Sequence, residues 1–284
     1  MLQEKGRFRI GEGEFRLKGY VQTFMKYRFL LANLITRDLK VKYRRSVLGL
    51  AWSVLNPLLM AFVITAVFQN FFKFAIENFV IYYLTGSLIF NFMTEATTAA
   101  MTSVINNSAL IKKVYIPKYI FPLEKVMFSF VNMLFSAIAL VLMLVITKLG
   151  WIGTPDALHI GWSALLFFVP MLYTLLFSLG LGLMLAAINV FFRDMGHLYS
   201  VATMAWMYLT PIIYPESMLQ GSWVLRIVEC NPMYYYVQYF RNLVMYDTLP
   251  GWDLNLICLG FSLLFLVLGL LLFKVKQDQF ILYI

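Results

Sequence analysis

The chain has 284 residues, is 61% hydrophobic and only 13% charged, and carries a formal net charge of +9. Soluble domains run near 25% charged, whereas apolar runs of about 20 residues recur here, which marks a polytopic membrane protein with no room for a soluble domain of ordinary size. The basic residues hug the apolar runs instead of forming a domain of their own, which argues against a nucleic-acid binder.

Residues 1–19 read as a cytoplasmic tail with Lys5, Arg7, Arg9, Arg16 and Lys18 among glycines and glutamates. Residues 20–45 predict an amphipathic helix. At about 100° per residue Lys26, Asn33, Arg37, Lys40 and Arg44 share one face, while Phe24, Leu31 and Ile35 fall opposite. Such a helix lies in the membrane interface with its cations toward lipid headgroups. The first 46 residues are too polar for a secretory signal, so the first span is expected to act as its own insertion signal.

The expected fold is all-α, with six spans in a transmembrane domain of residues 46–276 and a short cytoplasmic tail over 277–284. The spans fall at about 47–71, 79–105, 126–147, 162–187, 198–214 and 254–273. The second is unusually polar, with Thr94, Glu95, Thr97, Thr98, Thr102 and Ser103. Glu95 is expected to face protein or water, and the small hydroxyl residues to pack helices together. Residues 106–125 break the hydrophobicity with Lys112, Lys113, Lys118, Lys125, Pro117 and Pro122, and admit at most a short helix. In the fourth span Ser178, Gly182 and Ala186 form a small-residue series suited to close packing. Arg193 and Asp194 sit in a tight turn. Residues 215–253, broken by prolines and rich in tyrosine, predict two short helices on or in the far membrane face.

An even number of spans puts both termini on one side. That side holds nineteen Lys and Arg against four on the other, so both termini are expected in the cytoplasm. Cys230 and Cys258 read as small apolar residues, and His159 and His197 lie too far apart to suggest a metal site. The chain has no GxxxxGK[ST], GxSxG or HExxH, so no catalytic residue, cofactor or metal is expected in it.

Five stretches in series resemble the ABC-2 type permeases that export cell-surface polysaccharides and teichoic acids: RDLKVKYRRSVLGLAWSVLNPLL (Arg37–Leu59), IKKVYIPKYIFPL (Ile111–Leu123), NVFFRDMGH (Asn189–His197), WMYLTPIIYP (Trp206–Pro215) and NPMYYYVQYFRNLV (Asn231–Val244). The resemblance runs from about residue 28 onward. It implies half of a transporter in a bacterial cytoplasmic membrane. A second copy of the chain would pair with it, and two separate ATPase subunits would bind ATP and Mg in the cytoplasm. The substrate it implies is a glycan on a polyprenyl diphosphate lipid. It places Lys112, Lys113, Tyr115, Ile116 and Pro117 where the family's coupling helix meets the ATPase, with Arg193 and Asp194 at a second contact. It also places the basic helix where the lipid headgroup approaches, spans 1 and 5 at a lateral gate for the lipid, and residues 215–250 in gate helices at the exit.

The residue chemistry suits these roles. Arg37, Lys40, Lys42, Arg44 and Arg45 can meet a pyrophosphate. Trp52, Tyr83, Trp206, Tyr208, Tyr234, Tyr235 and Tyr236 offer aromatic faces on which sugars stack, and Glu95 joins them as a channel or gate residue. Two other readings are open: an ABC-2 permease for a small drug or lipid, and a membrane enzyme of glycolipid assembly. The enzyme would need acidic catalytic groups, and the cytoplasmic loops offer only Glu124 and Asp194.

Overall fold

A computed structural model describes residues 13–44, 46–68, 76–114 and 116–283, with side chains from Met25 onward. Arg45 and Tyr115, expected at the headgroup and ATPase contacts, lie outside the described residues, as does most of the expected N-terminal tail. Every regular element among the described residues is helical. In order they are α1 (Gly13–Tyr43), α2 (Trp52–Val67), α3 (Phe79–Asn106), α4 (Ser108–Lys113), α5 (Ile120–Lys148), α6 (Phe168–Phe191), α7 (Met195–Tyr208), α8 (Val224–Glu229), α9 (Pro232–Val244), α10 (Trp252–Lys276) and α11 (Phe280–Tyr283).

Four stretches are long and apolar enough to cross a bilayer: Gly49–Val67, Ile120–Lys148, Trp162–Phe191 and Trp252–Tyr283. Two further helices fall where spans are expected. At 28 residues, or about 42 Å, α3 has the length but is too polar to qualify alone. With 14 residues α7 is only about 21 Å long, and the chain turns irregular after Tyr208.

The polar character of α3 follows from its place. Twenty of its 28 residues are buried, and α2, α5, α6, α7 and α9 pack around it. A helix surrounded by protein can carry hydroxyls that lipid would penalise, because neighbours satisfy them. Thr97 bonds the Met93 carbonyl at 2.6 Å and the Tyr199 hydroxyl of α7 at 2.6 Å. Asn189 of α6 donates to the Met101 carbonyl at 3.1 Å.

Helices α6 and α10 approach each other closely at their glycines. A Cβ on Gly269 would stand 2.1 Å from the Gly180 carbonyl oxygen, and one on Gly180 would stand 2.3 Å from the Phe265 backbone. The two backbones touch, which only glycine allows. The expected small-residue series faces elsewhere: Gly182 lies against Ala100 of α3.

One end of the bundle collects α4, the Arg193–Asp194 turn, the start of α5 and the C-terminus. Ile111 of α4 anchors in an apolar cluster with Phe121, Val190, Phe273 and Phe280. The last residues therefore do not trail away. Phe280 is fully buried, its ring tilted against Phe191 at 5.9 Å and edge-on to Phe273 at 5.2 Å, and Lys118 donates to the Gln277 carbonyl. The Phe280→Ala variant should lose about 3–5 kcal/mol of stability, because the cavity opens between four elements. Thermal unfolding in detergent will register this as a lowered Tm; an unchanged Tm would mean the tail contributes nothing to this end.

At the other end Asn231 and Pro232 start α9. The Asn231 side chain accepts from Met233 N at 2.9 Å, and proline at the first helical position needs no partner for its missing N–H. Asn231 also accepts from the Trp206 indole at 2.6 Å and donates to Thr210 at 2.8 Å. Arg241 of α9 is buried. It donates to the Pro211 carbonyl at 2.7 Å and the Tyr82 carbonyl at 3.2 Å, and its guanidinium lies 3.5 Å from the Tyr82 ring centre. Gly86 makes room for it, since a Cβ there would stand 2.8 Å from the guanidinium.

Candidate functional site

A groove of about 1170 Å³ opens between α2, α3 and α5, with the end of α1 and the turn after α7 at its edges. Its longest wall is one face of α3. Ser87, Asn91, Thr94, Glu95, Thr98 and Thr102 recur at three- and four-residue steps and all line it. The sequence reading of these threonines as packing residues therefore divides. Thr97 and Ser103 are buried against neighbouring helices, whereas Thr94, Thr98 and Thr102 border the groove.

Opposite stand Trp52 and Asn56 of α2 with Asn132 and Ser136 of α5. Pro57 lies inside α2 and cannot donate to the carbonyl four residues back, that of Ser53. The Ser136 hydroxyl takes that place at 3.1 Å, tying α5 to α2. A proline in an apolar helix is thus tolerated through a neighbour's hydroxyl.

The basic end of α1 docks beside this groove through three side chains spaced four and one apart. Asp38 pairs with Lys125 at the start of α5. Lys42 pairs with Glu95 at 3.1 Å. The Tyr43 hydroxyl bonds Ser53 and donates to Asn132 at 3.3 Å. Asn132 in turn donates to Glu95 at 3.3 Å, so α1, α2, α3 and α5 meet in one polar knot. Burial raises the Asp38 carboxyl, but hydrogen bonds and charge from Lys125 and Arg37 outweigh it and leave the pKa below the ordinary carboxylate value. The stability this tie contributes is fully present above the unfolded carboxylate pKa and is lost as pH falls through the lowered folded one.

The docked side chains leave others free of the bundle. Arg37, Lys40 and Arg44 border a shallow depression along α1 with Asn33 and Thr36, at three- and four-residue steps. The structure therefore separates the expected headgroup cations into two groups. All four are exposed, but Arg37, Lys40 and Arg44 border the depression on α1, whereas Lys42 pairs with Glu95 at the groove. The sequence showed Lys42 and Glu95 as members of two different sites, and the fold joins them.

The expected aromatic lining is only partly there. Trp52 is about half exposed at the groove and Tyr83 lines it from α3, although little of Tyr83 reaches the surface. Trp206 does not line it; its indole is spent on Asn231 and its ring meets Phe177 edge-on. Its neighbours Met207, Ile212 and Ile213 border the groove instead. Tyr208 is exposed on α7 away from the lining. Tyr234 and Tyr235 bond Glu216 and the Glu229 carbonyl, each at 2.7 Å. Tyr236 is fully buried with its hydroxyl 2.8 Å from Ser262, so it belongs to the core of this chain rather than to a channel. An aromatic run on a short amphipathic helix must point three ways at once, which is why its members separate.

Of the expected ATPase-facing residues, Lys112 and Lys113 are exposed at the end of α4, and Arg193 and Asp194 are exposed in the turn between α6 and α7. Ile116 and Pro117 are half-buried between α4 and α5. Both surfaces stand at the same end of the bundle, over the cluster that holds Ile111 and Phe280. Sequence reasoning passed over Arg241, Asn132 and Gly180. The NP pair before α9 was the one local signal of the Arg241 region.

A helical bundle with long apolar helices, a polar groove and a basic flanking helix suits a membrane transport protein. The chain belongs to the ABC-2 type transporter family, whose pattern it matches over residues 30–245. It is 29% identical over 267 residues to the O-antigen export system permease protein RfbA of Klebsiella pneumoniae, an alignment covering 90% of this chain and 97% of that one. A protein of the same description from Myxococcus xanthus is 29% identical over 261 residues, covering 92% and 97%. The capsule polysaccharide export inner-membrane protein CtrC of Neisseria meningitidis is 24% identical over 247 residues, covering 83% and 89%.

Proposed function

We propose that this chain is the permease subunit of an ATP-driven exporter that moves a lipid-linked surface polysaccharide across the bacterial cytoplasmic membrane. The observation that carries this reading is the polar groove along α3, joined to the exposed cations of α1 through the Lys42–Glu95 pair. A headgroup diphosphate is met by Arg37, Lys40 and Arg44, and the attached glycan follows the hydroxyl-rich groove. The relatives named for O-antigen and capsule export support the same substrate class.

The remaining parts of the reading follow. The chain crosses six times, with α3 and the α7 segment completing the four apolar crossings, and both termini are cytoplasmic. Burial explains why α3 can cross despite its polarity. A second copy closes the groove across α2 and α7, whose apolar faces are largely uncovered within one chain. Two separate ATPase subunits dock on α4 and the Arg193–Asp194 turn and hold the nucleotide and metal. Residues 215–250, pinned by Asn231 and Arg241, form the exit side.

An enzyme of glycolipid assembly fits less well. Glu124, one of its two candidate acids, is about 1% exposed and lies 3.3 Å from Lys125, so it is unsuited to hold a metal for a nucleotide sugar.

The test is purification of the tagged chain in detergent. The expected result is co-purification of a P-loop ATPase at one copy per permease, with hydrolysis stimulated in the complex. A chain that purifies alone and stimulates no candidate ATPase would overturn the reading.

A further inference from the structure

We infer that the polymer passing along this groove is uncharged, a neutral hydroxyl-rich glycan and not a polyanion. The inference rests on the exporter reading and narrows its substrate. Among the described residues that line the groove, Lys42 and Glu95 are the charged ones, and they neutralise each other at 3.1 Å. The other polar groups along it are hydroxyls, amides and the Trp52 indole. Ser87 to Thr102 spans about 22 Å of α3, and apart from Glu95, which Lys42 balances, its polar lining residues present neutral donors and acceptors. Asn56, Asn132 and Ser136 continue the same chemistry on the facing wall.

Charge decides the substrate class. An anion carried between apolar helices loses hydration worth several kcal/mol, and only fixed cations restore it. Pores that pass anions or phosphates line themselves with Arg or Lys. This chain places Arg37, Lys40 and Arg44 on α1, outside the hydroxyl-lined wall, and Lys42 at the edge of the groove is paired with Glu95. Those cations suit the diphosphate at the lipid end, which need not enter the groove. A polymer with a charge in every repeat would meet the α3 face with nothing to balance it. A neutral sugar exchanges its water hydrogen bonds for those of Thr, Ser and Asn at little cost, since each is both donor and acceptor.

The experiment is removal of the gene from its host, followed by anion-exchange chromatography and uronate, sialate and phosphate assays of the surface polymer that disappears. The expected polymer is unretained and lacks acidic sugars and phosphate in its repeat. A lost polymer that binds the exchanger through charged repeats would overturn the inference and leave the exporter reading standing. No lost polymer would overturn both. Two variants read the same property from the protein side. Thr98→Asp and Thr98→Lys should each lower surface polymer several-fold at equal protein level. Blockage by Asp with normal or raised export by Lys is the signature of a polyanion and contradicts the proposal.

Discussion

Replacing Lys40 and Arg44 together by Glu is expected to lower surface polymer on the order of a hundred-fold while the protein stays folded. Both side chains are exposed on α1 and make no tie to the bundle among the described residues; Leu34, Asp38, Lys42 and Tyr43 hold the helix in place. Each cation at a membrane surface contributes about 1 kcal/mol toward an anionic headgroup. Reversing two removes that attraction and adds repulsion of similar size, about 4 kcal/mol in all, which is more than a hundred-fold in occupancy. Arg37 is left intact because it also pairs with Asp38 at 2.9 Å, and its loss would loosen the dock as well. Surface polymer per unit of membrane-inserted permease is the quantity to measure. Export at the normal level would mean that the diphosphate is met elsewhere. Loss of the protein itself would show that these cations are structural.

The second large effect concerns packing. Gly180→Ala should prevent the bundle from closing, so that little monodisperse protein is recovered. Its new methyl would lie 2.3 Å from the Phe265 carbonyl carbon and oxygen, and backbone of a packed helix cannot step aside as a flexible side chain can. Overpacking of this kind costs about 1–3 kcal/mol where side chains adjust, and more where two helices must separate along their length. Gly260→Ala, on the same α10, is the control. Nothing lies within 4 Å of its Cβ position, so it should be neutral or slightly stabilising through helix propensity. Equal yields of the two variants would show that the α6–α10 contact has room that the geometry denies.

Neither the packing around α3 nor that of the C-terminus can be read locally. By hydropathy α3 is weaker than α2, α5, α6 and α10, yet it is the one the others pack around. A hydropathy pattern measures suitability for lipid, and a helix enclosed by protein has little need of it. Residues 277–284 read as a short cytoplasmic tail, but Phe280 enters a cluster built from four distant segments. Neither placement has a local signal. The expected helix over 20–45 begins earlier, at Gly13, because nothing in residues 13–19 stops it. Its basic face was legible from periodicity alone, since Arg37, Lys40 and Arg44 are close neighbours on any helix.

The amino-acid sequence by itself determined the membrane-protein class, the apolar helices, the crowding of cations beside them, the break in hydrophobicity over residues 106–125 and the family resemblance. These depend on composition, local spacing and chain order, which need no partner to be read. Only the tertiary structure decided that Lys42 meets Glu95 across 53 positions, that Tyr236 is core and Trp52 is groove, and that Gly180 is the glycine that α10 requires. Those facts are relations between faces of different helices. The angle at which one helix meets another sets them, and that angle comes from packing many side chains at once, not from any one stretch of chain.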